Sequence, residues 1–243
     1  MKKRITSVAL LLLALLAFPA LADTIYLPSL LRNLAPPPVT HIAVIGNSIA
    51  QHVPAPTIGW YGYWGMAATS IEKDYVHRLG DIIATEYRVL PETKVIRGTM
   101  KSLALTTPEF TEQVADFDPE LIIVQLSDNL PEAIASRETF YDPYHSLLLG
   151  LTAISDAPII CVGTWSTQSA IRDGFIAEAA AAVGATFVAI TDLSAVYENR
   201  AISQGECTNV NVCWHPSDAG MERIAERVIL ALDYAAAMTG GVE

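Results

Sequence analysis

The sequence is poor in positive charge. Its 243 residues include 15 Lys and Arg against 26 Asp and Glu, which gives a formal net charge of -11 at pH 7. Proteins that bind nucleic acids gain much of their affinity when Lys and Arg displace counterions from phosphates, so we expect no nucleic-acid partner. Charged residues are also scarce, at 17%, while hydrophobic residues reach 51%, and this excludes a disordered chain.

The apolar run near the N-terminus is too short to span a bilayer, which takes about 20 apolar residues. Basic residues at positions 2–4 precede 11 apolar residues, Val8 to Phe18, and Ala20-Leu21-Ala22 then forms an A-x-A cleavage site. We therefore predict that residues 1–22 are a signal peptide and that the mature protein is secreted or periplasmic, without stable membrane insertion. An uncleaved membrane anchor is the alternative.

Cysteines are few, and the common metal-binding motifs are absent. Neither C-x-x-C nor H-E-x-x-H occurs, so we expect no metal and no cofactor. Cys207 and Cys213 are six positions apart, whereas Cys161 lies in an apolar run. For an exported protein we predict a Cys207–Cys213 disulfide with Cys161 free and buried. Three unpaired cysteines are the alternative.

The rest of the chain alternates short apolar runs with longer amphipathic stretches. Residues 23–40 contain three consecutive prolines and are interpreted as an extended leader before one domain, 41–243. The apolar runs predict five strands: Ile42–Ile45, Lys94–Ile96, Leu121–Leu126, Pro158–Val162 and Thr186–Ile190. The stretches with helical spacing predict helices: Met66–Tyr87, Ser136–Ser155, Ala170–Val183 and Ser217–Met238. This alternation implies an α/β fold whose parallel sheet binds ligands beyond the carboxyl ends of its strands.

Ser48 follows the first predicted strand in the segment Ile45-Gly46-Asn47-Ser48-Ile49. A serine on a tight turn at a strand end can act as a nucleophile, with its own N–H facing an oxyanion. The G-x-S-x-G motif of α/β-hydrolases is not met, because residue 50 is Ala. A structural role in the turn is the alternative for Ser48.

A nucleophilic serine needs a base, and His215 lies in a loop just before the last predicted helix, within Cys213-Trp214-His215-Pro216. The other four histidines are less well placed: His41, His52, His77 and His145. The alternative is that His215 is a solvated loop residue without a function.

Three features together resemble the SGNH/GDSL hydrolases: Ser48 in G-N-S-I, an asparagine shortly after the third strand, and His-Pro before the last helix. The resemblance extends from about Ile42 to Met238. It implies a flavodoxin-like three-layer α/β/α sandwich with a five-stranded parallel sheet. It also implies an esterase or lipase activity.

The resemblance implies roles for individual residues. Ser48 matches the family's nucleophile, with Asn47 in place of the usual Asp, and His215 matches the catalytic base. The oxyanion hole would consist of the Ser48 N–H, the Gly98 N–H and the Asn129 side chain. Ser127-Asp128-Asn129-Leu130 differs from the family's G-x-N-D pattern at both ends.

The acidic partner of the histidine is missing from its usual place. In the family it lies three residues before the histidine, where this chain has Val212. Replacing the Asp of a serine protease triad by Asn lowers the rate about 10⁴-fold, so the substitution matters. The candidates for orienting His215 are Asp192, Glu206, Asn211 and a main-chain carbonyl; a slower dyad is the alternative.

The four tryptophans lie in predicted loops that this fold gathers near one face: Trp60, Trp64, Trp165 and Trp214. Flat aromatic walls in an exported esterase favour a sugar-containing substrate, with removal of O-acetyl or short acyl groups from a small carbohydrate ester or a polysaccharide. The alternative for the tryptophans is packing of loops onto the domain. For the whole protein, the alternatives are a lipase or lysophospholipase and a carbohydrate-binding protein on the same fold.

Overall fold

The computed structural model describes residues 39–100, 103–205 and 207–239, without the side chains of 103–106 and 233–239. The predicted signal peptide and nearly all of the leader lie outside these ranges. Five parallel strands form one sheet: β1 (His41–Gly46), β2 (Glu92–Arg97), β3 (Leu121–Gln125), β4 (Ile159–Val162) and β5 (Thr186–Val188). Their order, β2-β1-β3-β4-β5, is that of flavodoxin-like folds. The predicted fold class is confirmed.

Helices cover both faces of this sheet. They are α1 (Tyr75–Tyr87), α2 (Leu103–Phe117), α3 (Asp142–Ile154), α4 (Ala170–Val183), α5 (Thr191–Ala195), α6 (Val210–Cys213) and α7 (Asp218–Thr239). A π-helical turn, Arg137–Tyr141, leads directly into α3. Of the helices described, none has the combination of length and hydropathy that a bilayer-spanning segment requires.

The sheet separates two apolar cores because successive side chains of a strand point to opposite faces. In β1, Ile42 and Val44 pack with α1 and α7, whereas Ala43 and Ile45 pack with α2, α3 and α4. Both faces of the central strands are therefore buried, which explains why their sequences are almost entirely apolar.

Helix α2 is absent from the sequence prediction. Pro108 lies inside it, and a proline within an apolar pattern normally indicates the end of a helix. The helix nevertheless forms, since Phe110 and Val114 are buried against the sheet and tertiary packing outweighs the lost hydrogen bond.

Helix α1 begins later than predicted, at Tyr75 instead of Met66. The Asp74 side chain accepts a hydrogen bond from the His77 N–H at 2.8 Å and so caps the helix at this point. The carboxylate of Asp74 also accepts from the Gly65 N–H at 3.0 Å, which holds the preceding loop against the helix end. Residues 66–70 are thereby placed in a loop next to the nucleophile turn.

Candidate active site

Ser48, Asn129 and His215 line one cavity of about 500 Å³. Ser48 follows β1, Asn129 follows β3, and His215 precedes α7. The chain order of the sheet reverses between β1 and β3, and such switch points are where ligands bind in open α/β sheets. Residues that are far apart in the sequence therefore meet where the fold leaves room for a ligand.

The Ser48 hydroxyl and the His215 imidazole are in direct contact. Oγ of Ser48 lies 2.7 Å from Nε2 of His215, across 167 positions of sequence. Nδ1 of His215 lies 2.7 Å from the main-chain carbonyl oxygen of Asn211. A carbonyl oxygen only accepts hydrogen bonds, so Nδ1 carries the proton and Nε2 is left as the acceptor for the serine hydroxyl.

The imidazole of His215 is buried, with 6% of the residue exposed. Burial lowers the pKa of His215 to about 4, although the hydrogen bond to the Asn211 carbonyl acts in the opposite direction. The ring is therefore neutral at pH 7, which is the state that a general base requires.

The turn that carries Ser48 is anchored to β3 by one hydrogen bond and closed on itself by another. The Asn47 N–H donates to the Gln125 carbonyl at 3.1 Å, and the Asn47 side chain accepts from the Ile49 N–H at 3.1 Å. A Cβ on Gly46 would lie 2.4 Å from the Cβ of Ala50, so the turn needs glycine there. Within the described part of the chain, the Ser48 N–H has no hydrogen-bond acceptor, so it is available to an oxyanion.

Asn129 lies in a short 3-10 turn, Ser127–Asn129, directly after β3. Its Oδ1 is buried without a hydrogen-bond partner, which leaves Nδ2 as the end of the amide that can face the cavity. The Arg172 guanidinium of α4 donates to the carbonyls of Ser127 and Leu130 at 3.2 and 2.9 Å and so fixes the loop on both sides of Asn129. The guanidinium also forms a 2.8 Å ion pair with Glu132.

Asp128, next to Asn129, is a partly buried carboxylate that connects the loop after β3 with the loop after β4. It accepts hydrogen bonds from Gln125 Nε2 at 2.8 Å and from the Trp165 N–H at 2.9 Å. Burial raises the pKa of Asp128 to about 6, and the Trp165 N–H and the positive charge of Arg172 limit this rise.

Gly98 lies in the cavity wall, but its N–H does not face the cavity. The N–H donates to the Gly46 carbonyl at 2.9 Å, because the pairing of β1 with β2 continues one residue beyond the strand. The structure therefore contradicts the prediction that Gly98 supplies an oxyanion donor. A Cβ at this position would lie 2.4 Å from the Phe110 ring, so glycine is needed here for packing.

Of the candidates for orienting His215, the structure places the main-chain carbonyl of Asn211 on the ring, and not the Asn211 side chain. Asp192 is wrong as a candidate, since both of its carboxylate oxygens are bound by Arg227 of α7 and its side chain is 64% exposed. Glu206 lies outside the described residues.

A disulfide joins Cys207 and Cys213, whose Cα atoms are 5.4 Å apart. It closes a short loop that contains α6 and therefore Asn211. Cys161 is free and buried, and burial raises the pKa of its thiol to about 12.

None of the four tryptophans is among the residues that line the cavity of Ser48. Trp60 and Trp64 instead line a neighbouring cavity of about 270 Å³, together with Tyr61 and the Cys207 end of the disulfide. Trp165 is 1% exposed, and its Nε1 donates to the Trp214 carbonyl at 3.0 Å, so it packs the histidine loop onto the domain and is not a pocket wall. The Trp214 ring meets His215 edge-on, with ring centroids 5.2 Å apart.

Sequence reasoning missed two side chains at this site. Arg97 is the last residue of β2 and lines the cavity. The predicted strand ended at Ile96, so the rule that ligands bind beyond the carboxyl ends of parallel strands could have pointed to Arg97. Asp128 gave no comparable signal, since its burial depends on the packing of β4 and α4. In the described ranges, no cluster of three or more His, Cys, Asp or Glu residues is arranged to hold a metal ion.

No protein-family model and no curated protein matches the sequence. Solved structures do match the fold. A two-domain esterase (CEX) active on acetylated mannans has a TM-score of 0.56 at 14% identity, over 81% of this chain and 49% of that one. A variant of Axe2, an acetyl xylan esterase from Geobacillus stearothermophilus, has a TM-score of 0.52 at 16% identity, over 79% of this chain and 94% of that one. A protein described as a GDSL-like lipase from Parabacteroides merdae has a TM-score of 0.56 at 11% identity, over 79% of this chain and 94% of that one. The chain has the SGNH/GDSL hydrolase fold, as the resemblance predicted.

Proposed function

We propose that the protein is a serine esterase that hydrolyses carboxylic esters through an acyl-enzyme. One observation carries this proposal: the Ser48 hydroxyl lies 2.7 Å from an imidazole nitrogen whose tautomer is fixed by the Asn211 carbonyl. Nucleophile, base and orienting group are thus in hydrogen-bond contact, which is the arrangement that activates a serine.

The reaction has two acyl-transfer steps. Nε2 of His215 takes the hydroxyl proton while Oγ of Ser48 attacks the ester carbonyl, and the negative charge of the tetrahedral intermediate is stabilised by the Ser48 N–H and the Asn129 Nδ2. The protonated imidazole then gives its proton to the leaving alcohol, and the acyl group stays on Ser48. Water, deprotonated by His215, attacks the acyl-enzyme, and the imidazolium then gives this proton to Oγ of Ser48 as the acid is released.

We propose that the substrates are O-acetyl or short acyl esters of carbohydrates. Two similar structures are described as acting on acetylated mannans and as an acetyl xylan esterase. The neighbouring cavity supports this, since Trp60, Tyr61 and Trp64 give it aromatic walls for a sugar next to the ester.

We also propose that the protein acts outside the cytoplasm, after removal of residues 1–22. The disulfide between Cys207 and Cys213 supports this compartment, because such bonds persist in oxidising surroundings.

Labelling with a fluorophosphonate tests the proposal directly. The wild type is expected to label and to release acetate from 4-nitrophenyl acetate and from acetylated xylan or mannan. Ser48→Ala should not label and should lose about 10⁴-fold or more in kcat. Ser166→Ala, a serine outside both cavities, is the matched control and should behave like the wild type.

Two results would reject parts of this proposal. Unchanged labelling and turnover in Ser48→Ala would remove Ser48 as the nucleophile. Faster hydrolysis of long-chain nitrophenyl esters than of acetylated glycans would replace the carbohydrate substrate by a lipid-like one.

A further inference from the structure

The cavity of Ser48 differs in charge from the rest of the molecule. The chain carries 26 Asp and Glu residues against 15 Lys and Arg. Among the described residues that line the cavity there is no Asp, Glu or Lys, and Arg97 is the single Arg. An acidic protein thus has a cavity whose one permanent charge, within the described residues, is positive.

That charge belongs to Arg97, and nothing in the described part of the chain neutralises it. Arg97 has no hydrogen-bond or ion-pair partner there. Five other arginines each contact a carboxylate: Arg78, Arg137, Arg172, Arg223 and Arg227. In a chain with a surplus of carboxylates, an exposed and unpaired guanidinium on a residue of the cavity wall has its hydrogen-bonding capacity free for a ligand.

Arg97 is also placed close to the reacting serine. It is paired with Gly46 across β1 and β2, and Gly46 is two residues before Ser48. The sheet fixes the main chain of Arg97, while its long side chain, exposed at the cavity wall, can adjust to a substrate. Arg97 and Ser48 therefore line the same cavity from neighbouring strand ends, so one substrate can contact both.

We propose that Arg97 binds a carboxylate on the alcohol part of the substrate, so that the preferred substrates are O-acetylated acidic glycans containing uronate residues. This inference rests on the proposed esterase function. The carboxylate of the substrate belongs to the alcohol part of the ester, since an acetyl group carries no charge. A planar guanidinium matches a carboxylate with two parallel hydrogen bonds. A phosphate could also supply an anion, but it carries more charge, and the described lining has no second Lys or Arg.

Binding to an inactive enzyme tests this inference independently of catalysis. In Ser48→Ala protein, calorimetry would compare an O-acetylated methyl glucuronoside with the corresponding glucuronamide, which has the same size and no charge. We expect the uronate to bind about tenfold more tightly, and we expect the preference to fall to about onefold when Arg97→Gln is added. Arg97→Lys should keep part of the preference. In the active enzyme, the ratio of kcat/KM for the two esters should change in parallel.

Arg88→Gln is the matched control, since it removes the charge of another arginine that has no ion-pair partner among the described residues. Arg88 precedes β2 and so lies at the opposite end of the sheet from Arg97. The control should keep the full preference for the uronate. In Ser48→Ala protein that retains Arg97, raising the salt concentration from about 0.05 M to about 1 M should lower the preference for the uronate, because salt screens an exposed ion pair.

Equal binding of uronate and amide, or a preference that survives both Arg97→Gln and high salt, would overturn the inference. So would a preference restricted to acetylated glycerol phosphate over acetylated glycerol, which would assign Arg97 to a phosphate. If Arg97→Gln fails to fold, Arg97→Lys and the salt series still decide the matter. Failure of the esterase proposal has a different signature, namely selective binding of the uronate without hydrolysis by the active enzyme.

Discussion

His215 contacts two oxygens, and neither carries a charge. In a triad with a carboxylate, the buried negative charge both orients the imidazole and stabilises the imidazolium that forms during catalysis. Here the Asn211 carbonyl orients the ring and fixes its tautomer, but it offers a dipole and not a full charge. We infer that most of the stabilisation of the transition state falls on the oxyanion donors.

Asn129 is the donor that mutation can remove. Asn129→Ala deletes the Nδ2 donor without disturbing the loop, because Arg172 holds the main chain at Ser127 and Leu130. We expect kcat to fall about 10²–10³-fold, with KM changed much less. Steady-state kinetics on a short acyl ester measure both constants. Ser166→Ala outside the cavity is a suitable control; a loss of less than threefold in Asn129→Ala would argue against an oxyanion role.

At the scale of elements, the segment from Cys207 to Cys213 controls the position of the orienting carbonyl. The disulfide closes it, the Asn209 side chain caps α6 by accepting from the Asn211 N–H at 2.9 Å, and Trp165 donates to Trp214 just beyond it. The carbonyl of Asn211 is therefore held by covalent, capping and tertiary interactions together.

Opening the disulfide should affect catalysis as well as stability. For Cys207→Ser/Cys213→Ser we expect a loss of about 2 kcal/mol in the free energy of unfolding, as chain entropy gives for so short a loop. We also expect kcat to fall about tenfold or more, because the carbonyl is less firmly held on Nδ1. Urea unfolding and kcat at a temperature where both proteins are folded provide the measurements.

Cys161→Ala separates the two effects. It removes a buried thiol from β4, so it should cost stability while leaving His215 in place. Equal kcat losses in Cys161→Ala and in the disulfide variant would show that the effect on catalysis comes only from reduced stability.

The strands could be predicted because burial on both faces gives runs such as Leu121–Gln125, in which nearly every residue is apolar. Helix α4 matched its prediction at both ends, 170 and 183. Helix α2 was missed because Pro108 conceals a helix that tertiary packing stabilises. The local sequence pattern was sufficient to predict an element where apolar residues dominate it. The pattern failed where tertiary packing outweighs the local preference of a residue such as Pro108.

The same distinction applies to the site. Ser48 and His215 could be identified as candidates because their chemistry belongs to their side chains and their positions follow from the strand order. The partner of His215 could not be identified, because a main-chain carbonyl is common to all residue types. Gly98 was misjudged for a related reason, since only the register of β1 and β2 shows that its N–H is already engaged.

For the whole molecule, two titratable groups near the cavity, His215 and Asp128, make the free energy of unfolding depend on pH in opposite directions. The pKa of His215 is lowered from 6.5 to about 4, so between these values the unfolded chain binds more protons and stability rises with pH. The pKa of Asp128 is raised from 3.8 to about 6, so there the folded chain binds more protons and stability falls as pH rises. Each contribution is on the order of 3 kcal/mol, and the two nearly cancel between pH 4 and 6.

Replacing either residue should reveal the pH dependence that the other contributes to the free energy of unfolding. Relative to the wild type, His215→Gln is expected to gain stability as pH falls from about 6.5 to 4, whereas Asp128→Asn is expected to gain stability as pH rises from about 4 to 6. Urea unfolding of the three proteins at several pH values measures both trends. His145→Gln, on a helix away from the cavity, controls for the loss of a histidine, and parallel curves for all variants would contradict the assignment.

The main-chain acceptor at residue 211 has a consequence for how such a protein can vary. Any amino acid brings the same carbonyl, so substitutions at this position leave the hydrogen bond to His215 chemically intact as long as the path of the chain is kept. Tolerance of a saturation library should therefore be high at residue 211 and low at the two sulfur-bearing positions that close the ring around it. Selection would then conserve the shape of the seven-residue loop from Cys207 to Cys213, and not the identity of a third catalytic residue.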